Sequence, residues 1–319
     1  MKYSREYLEH LAGTTGFRPD TLEKVLRLER LLTQVTRHPF LGSRLLLKGG
    51  TALNLFFFAG VPRLSVDLDF NYVGAVDREA MLLDRPDVER AVEQLAAGDG
   101  YRVQKSVEEH AGRKFFLGYR NGLGTQDRIE VDLNYMFRIP LMPGDLRPAW
   151  TPDSDVPCQA RLAAFEEVMA GKLLALVDRT AARDVYDVAS FCSDPPTYHP
   201  GLLRSLFISL SGILPRALTA YGLQLLDAFS WRELESQLAP FLRQGERPEM
   251  ETLKTRVAVL LSDLLSLTGD EQAYVERLQR GEFSPELVTH DHRDLLPRLR
   301  SHPALLWKVQ NAQKRPSGS

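Results

Sequence analysis

The run from Leu47 to Tyr72, LKGGTALNLFFFAGVPRLSVDLDFNY, constrains this chain more than any other stretch. It holds a Gly-Gly-Thr turn, an apolar segment, and then Asp67 and Asp69 alternating with Val66, Leu68 and Phe70. Successive side chains of a strand point to opposite faces, so the two aspartates project together while the apolar residues anchor the other face. Two carboxylates that close call for a cation. An isolated Asp-x-Asp is most often the solvated face of an edge strand, but this one follows a phosphate-type turn. Gly49 and Gly50 permit close backbone approach, Thr51 can cap, and Ala52 to Phe58 reads as a helix whose free N–H groups favour an anion. The pattern predicts one arm that holds phosphate and another that holds metal.

Hard oxygen ligands suit Mg²⁺, with Mn²⁺ as the alternative; Mg²⁺ takes one or two carboxylates and completes its shell with water and substrate phosphates. A third carboxylate would allow two ions about 3.5–4 Å apart, a clamp on the attacking and leaving oxygens of a phosphoryl displacement. In Asp127 to Tyr135, DRIEVDLNY, alternation puts Arg128, Glu130, Asp132 and Asn134 on one face. Parity alone leaves both Glu130 and Asp132 open as that third group. Farther on, Phe165, Val168, Met169, Leu173, Leu176 and Val177 form a stripe of helical period with Lys172 inside it. An unpaired buried ammonium is costly, so Lys172 is expected to face a cleft.

These motifs resemble the polymerase-β-like nucleotidyltransferase superfamily, whose signature is an hG[GS] turn followed by a Dh[DE]h strand. More narrowly, KGGTAL at Lys48 to Leu53 with RLSVDLDF at Arg63 to Phe70 is similar to the AbiEii family, toxin components of abortive-infection and toxin–antitoxin systems. The segment from Gly171 to Phe191, GKLLALVDRTAARDVYDVASF, resembles that family's later motif. The resemblance implies an NTP-dependent, pyrophosphate-releasing nucleotidyltransferase toxin whose acceptor is the 3′ end of tRNA. It implies an AbiEi-like antitoxin as partner. It favours Asp132 over Glu130 as the third carboxylate, so that Asp67, Asp69 and Asp132 bind metal, and it places Lys172 and Asp187 at the nucleotide site with Arg183 and Asp184 in support. Lys48, Gly49, Gly50, Thr51, Arg63, Ser65 and Lys172 are the expected nucleotide contacts. Two other readings of the same residues are a protein-nucleotidylylating enzyme and a catalytically idle nucleotide-binding interaction protein.

At 319 residues the chain is long enough for two domains. The expected fold is α+β: a nucleotidyltransferase lobe over 1–150, with N-terminal helices up to residue 46 and helices packed on one face of a small mixed sheet. A mainly helical lobe over 151–319 follows and contributes to the nucleotide site. The proline-rich stretch Arg138 to Pro157 reads as a crossover or linker between them. Strands are expected at Tyr101 to Glu108, Lys114 to Tyr119 and Arg128 to Tyr135, and helices at Pro19 onward and at Asp77 to Ala97.

A net charge of −2 advertises no global field for nucleic acid, so an RNA surface must be a local patch. The basic run at the end of the chain, Arg293 to Arg315, reads as a solvated face. Cys158 and Cys192 are too few for a disulfide framework or a four-ligand zinc site. His290-Asp291-His292 lacks partner ligands at suitable spacing. With no signal-peptide core and no apolar run of membrane length, the expected compartment is the cytoplasm, with no membrane contact.

Overall fold

Leu45, Leu46 and Leu47, all buried, lead directly into the Gly-Gly-Thr turn, and in the computed structural model, which describes residues 3–314, they form strand β1 (Leu45–Lys48). Arg315 of the basic terminal run lies outside the described residues. The helical reading of residues 1–46 therefore ends early. A short, wholly apolar run carries no period that separates strand from helix. Before it, α1 (Arg5–Thr15) is capped by Ser4, whose hydroxyl accepts from the Tyr7 N–H, and closed by Gly16 at φ +80°. Helix α2 (Pro19–Arg37) opens on Pro19, where a missing N–H costs nothing, and buries the leucine stripe that includes Leu22, Val25, Leu26, Leu28 and Leu32.

β1 lies near the middle of a seven-stranded mixed sheet of order β3-β4-β5-β2-β1-β7-β6. Its members are β2 (Asp67–Tyr72), β3 (Arg102–Lys105), β4 (Gly112–Arg120), β5 (Gln126–Asn134), β6 (Asp145–Pro148) and β7 (Gln159–Leu162). β2 runs antiparallel to β1 and parallel to β5; β3, β4 and β5 form the expected antiparallel meander. The Gly49 turn opens α3 (Gly49–Ala52), which continues as a π-helical turn (Leu53–Phe57) closed by the Phe58 N–H donating to the Leu53 carbonyl. α4 (Arg78–Gly98) starts at Asp77, whose side chain accepts from the Ala80 N–H. One sheet face is apolar and buried, with Leu68, Phe70 and Tyr72 of β2, Phe115, Leu117 and Tyr119 of β4, and Ile129, Val131 and Leu133 of β5. Each such side chain contributes roughly 1.5–3 kcal/mol on burial. Helix α2 packs on β5, β7 and α4.

The proline-rich stretch is not a bare linker. β6 forms within it and pairs antiparallel with β7, and both were missed from sequence. Every β6 residue is exposed, and an edge position tolerates Pro148 because its nitrogen owes no ladder hydrogen bond.

The chain divides into two contact units, and the single break expected near residue 150 is replaced by an interleaved division. The first unit takes the residues through Arg138 together with Gly144–Ala163 and Ala239–Glu246, and so holds the whole sheet. The second takes Ile139–Pro143, Ala164–Leu238 and the residues from Arg247 onward. Among its elements are α5 (Phe165–Arg179), α6 (Ala182–Ser193) and α7 (Pro200–Leu210), with α5 packed on α6 and α7 and α6 packed on the helix Met250–Leu265.

Within the second unit Glu167 of α5 holds the short Ile139–Pro143 segment: its Oε2 accepts from the N–H groups of Leu141 at 2.9 Å and Met142 at 3.1 Å. Its Oε1 is buried with no partner. Burial pushes the Glu167 carboxyl up to about 7, against the two N–H donors, which lower it. A carboxyl raised from an unfolded value near 4.3 gives stability that is complete below that pH and lost as pH rises through about 7. The wild-type protein should therefore lose up to about 3 kcal/mol of stability between pH 5 and pH 8.5 from this group. Glu167→Gln, which keeps an acceptor for both N–H groups, should flatten that part of the profile in urea titrations across the range.

Candidate active site

Lys48 on β1, Asp69 on β2, Asp132 on β5 and Lys114 on β4 are consecutive register partners across four strands. Cross-strand partners share a face, so these side chains form one row of charge, positive, negative, negative, positive. Asp67 stands opposite Glu130 in the next row of the same face. Strand alternation produces this placement, and the parallel pairing of β2 with β5 brings the two aspartates alongside each other.

The two candidates for the third carboxylate differ in surroundings. Glu130 forms an ion pair with Arg128 at 2.8 Å in the row beside Asp67. Asp132 lies beside Asp69 and meets Lys114 Nζ at 3.5 Å through Oδ2. Burial raises the Asp132 pKa; Lys114 opposes that, the charge of Asp69 adds to it, and Lys48 opposes it again. The net direction is upward. Lys114 was not foreseen, because its place beside Asp132 depends on β4–β5 register. The Asn121-Gly122-Leu123-Gly124 turn between these strands was the available signal.

Gly49 has φ +75°, a conformation L side chains rarely adopt, and a Cβ there would overlap Asp69 Oδ2. At Gly50 a Cβ would fall 2.9 Å from an Arg63 guanidinium nitrogen and 3.1 Å from Ser65 Oγ. The room left by the two missing side chains is thus taken by the protein's own Asp69, Arg63 and Ser65. Thr51 does not cap the helix. Lys48 occupies the cap position without a side-chain bond, and buried Thr51 sits inside the first turn, bonding Ser65 Oγ at 3.0 Å and donating to the Asp67 carbonyl at 2.5 Å. Arg63 and Ser65 are buried as well, with Arg63 donating to the Leu64 carbonyl. Where direct nucleotide contacts were expected, the structure has a brace tying the turn to the start of β2.

In the second unit Lys172 is buried and paired rather than open to a cleft. Its Nζ lies 2.8 Å from Asp184 Oδ1 and 2.9 Å from Asp187 Oδ2, both carboxylates being inaccessible to solvent. Arg179 closes the cluster on Asp184 at 2.7 and 3.2 Å. Burial works to raise the Asp184 pKa, but Lys172 and Arg179 prevail and hold it below the ordinary range. Asp184 thus has two cations, Lys172, which it shares with Asp187, and Arg179.

The carboxylates on this sheet face stand in two adjoining pairs, Asp69 with Asp132 and Asp67 with Glu130, not in a ring. Among the described residues no three His, Cys, Asp or Glu side chains are grouped as a metal cage. A cation at Asp69 and Asp132 would need water or substrate oxygens to complete its shell, which is how Mg²⁺ is ordinarily held. Among the same residues no helix is long and apolar enough to cross a membrane.

The model of the nucleotidyl transferase AbiEii toxin family, of type IV toxin–antitoxin systems, matches residues 30–280. Among solved structures, MenT4, a nucleotidyltransferase toxin from Mycobacterium tuberculosis H37Rv, superposes with a TM-score of 0.62 at 21% sequence identity, over 93% of this chain and 98% of that one. At that identity the likeness is one of fold. No curated protein matches the chain.

Two substitutions probe this geometry. Gly49→Ala should cost about 1–3 kcal/mol, through backbone strain and displacement of the Asp69 carboxylate, in denaturant titrations. Lys172→Met leaves the buried Asp187 without its ammonium and should destabilise by roughly 3–5 kcal/mol. Stability must therefore be measured before any loss of activity in that variant is ascribed to chemistry.

Proposed function

This chain belongs to the AbiEii family of nucleotidyltransferase toxins of type IV toxin–antitoxin systems, and from that premise we propose that it transfers a nucleoside monophosphate from an NTP to the 3′-terminal hydroxyl of tRNA. The acceptor oxygen bonds to the α-phosphorus, the bond from that phosphorus to the bridging oxygen breaks, and pyrophosphate leaves. A blocked tRNA end would halt translation and arrest growth, with an AbiEi-like antitoxin as the opposing partner.

The observation that carries this reading is the in-register pair Asp69 and Asp132, with Asp67 on the same face and the Gly49 turn built around the Asp69 carboxylate. The donor set fits a hard divalent cation, because two carboxylates held side by side on parallel strands otherwise repel. Asp69 and Asp132, with Asp67 in the adjoining row of the same face, would hold Mg²⁺ or Mn²⁺ together with water or substrate oxygens, and the ion when bound neutralises charge on phosphate oxygens.

The residues of the chain supply the rest. Asp132, with its proton affinity raised by burial, takes the proton of the acceptor hydroxyl. Lys48 sits at the head of the turn, where N–H groups of Gly49 and Gly50 favour a phosphate. Thr51, Ser65 and Arg63 keep that turn rigid from beneath. Lys172 and Asp187, in the stretch that resembles the family's later motif, join Asp184 in a buried ion-pair cluster that ties α5 to α6.

Asp67→Asn and Asp69→Asn should each lower transfer from α-labelled NTP to tRNA by about 100-fold or more, while γ-label never enters the RNA. Chelation should abolish transfer, and Mg²⁺ or Mn²⁺ should restore it. Wild-type rates from Asp67→Asn would sink the assignment of the site. Growth arrest on expression should likewise be relieved by Asp69→Ala.

A further inference from the structure

The sheet face that carries the aspartates continues outward across β5, β4 and β3, and there its character changes. Register places Gln104, Phe116 and Glu130 in one row, and Arg102, Gly118 and Arg128 in the next. Arg120 stands beyond them at the hairpin end, and Lys114 stands on the side toward Asp132. Arg102, Lys114, Arg120 and Arg128 are all exposed, the Lys114 and Arg128 side chains at 53% and 63%. The acids beside these residues are Glu130, which pairs with Arg128, and Asp132, which lies 3.5 Å from Lys114. A chain of net charge −2 therefore concentrates four cations on one open strip of sheet.

The strip also has flat surfaces. The Arg128 guanidinium lies over the half-buried Phe116 ring, 5.1 Å from its centroid. Gly118, the register partner of Arg102 on one side and Arg128 on the other, leaves bare backbone between them. Aromatic rings, guanidinium planes and uncovered backbone accept the faces of unstacked bases, and flanking cations accept the backbone phosphates between them. An acidic peptide would use the charges but leave the ring and the slot without a role.

We propose that this open face of β3, β4 and β5 is the docking platform for a single-stranded RNA acceptor, which lies over Gly118 and Phe116 and passes Lys114 to present its terminal hydroxyl at Asp132. Arg128 and Asp132 are four residues apart on β5, about 13 Å at strand rise, so a short single-stranded end suffices. The proposal rests on the transferase reading, since Asp132 is its endpoint, and it adds the surface that receives the acceptor and the path along it.

The test uses the full chain, a fluorescein-labelled single-stranded RNA oligonucleotide and anisotropy over a range of salt, with no NTP present. Arg102→Glu combined with Arg128→Glu should weaken binding at least about 10-fold and make the log–log salt slope shallower by about 1.4, the share of two phosphate contacts. Phe116→Ala should cost about 5- to 150-fold. Gly118→Leu should fill the slot and weaken binding without unfolding the strand, because its Cβ would meet only the Arg102 carbonyl oxygen at 3.6 Å and Arg102 Cβ at 3.9 Å. Unchanged RNA binding in variants whose unfolding transitions match the wild type would overturn the platform. So would label from α-labelled NTP entering a protease-sensitive product that the oligonucleotide fails to compete away. Failure of the transferase site shows separately, as undiminished turnover in Asp67→Asn, because the binding assay needs no turnover.

Discussion

Two like charges facing each other across parallel strands are the constraint on which the rest of this structure depends. Asp69 and Asp132 are register partners, and like charges in that relation destabilise a sheet unless something compensates. Lys48 and Lys114 stand at the two ends of their row and supply opposite charge. The Gly-Gly-Thr turn follows from the same constraint, since the Asp69 carboxylate occupies the space a side chain at Gly49 would fill.

The buried brace explains why the turn carries so many polar residues that never reach solvent. Thr51 binds the Ser65 hydroxyl and the Asp67 carbonyl, while Arg63 and Ser65 pack where a Gly50 side chain would be. A turn held this way is fixed by its own buried hydrogen bonds, so its geometry is set before anything binds. The Lys172 cluster solves a related problem in the second unit. One ammonium between two inaccessible carboxylates, with Arg179 at the rim, pairs every charge the cluster buries, and removing any one partner strands another.

Legibility differed from element to element for physical reasons. The helix from Pro19, the β3–β5 meander and the Asp67–Asp69 strand were readable because each carries its own period or its own terminal signal. β1 was hidden because three leucines in succession have no period, and β6 because the prolines of the surrounding stretch suggest a linker until an edge position is known to be available. The domain division was misplaced because Gly144–Ala163 and Ala239–Glu246 join the first unit through contacts distant in sequence. Among candidate site residues, Asp67, Asp69 and Lys172 stand out by type and spacing. Lys114 does not, since a lone lysine on a strand means nothing until its neighbour is known.

The sequence by itself determined which chemistry was available: paired carboxylates on one strand face, a glycine turn ahead of them, and a lysine inside an apolar helical stripe. Those features are local, and a strand's alternation or a helix's period expresses them wherever the segment is placed. Tertiary structure alone decided which groups meet. It set Asp132 beside Asp69 and Glu130 beside Asp67, turned Thr51, Arg63 and Ser65 inward, and gave Lys172 two aspartates in place of a cleft. Parity along a strand specifies a face but not a partner, and partners come only from register and strand order.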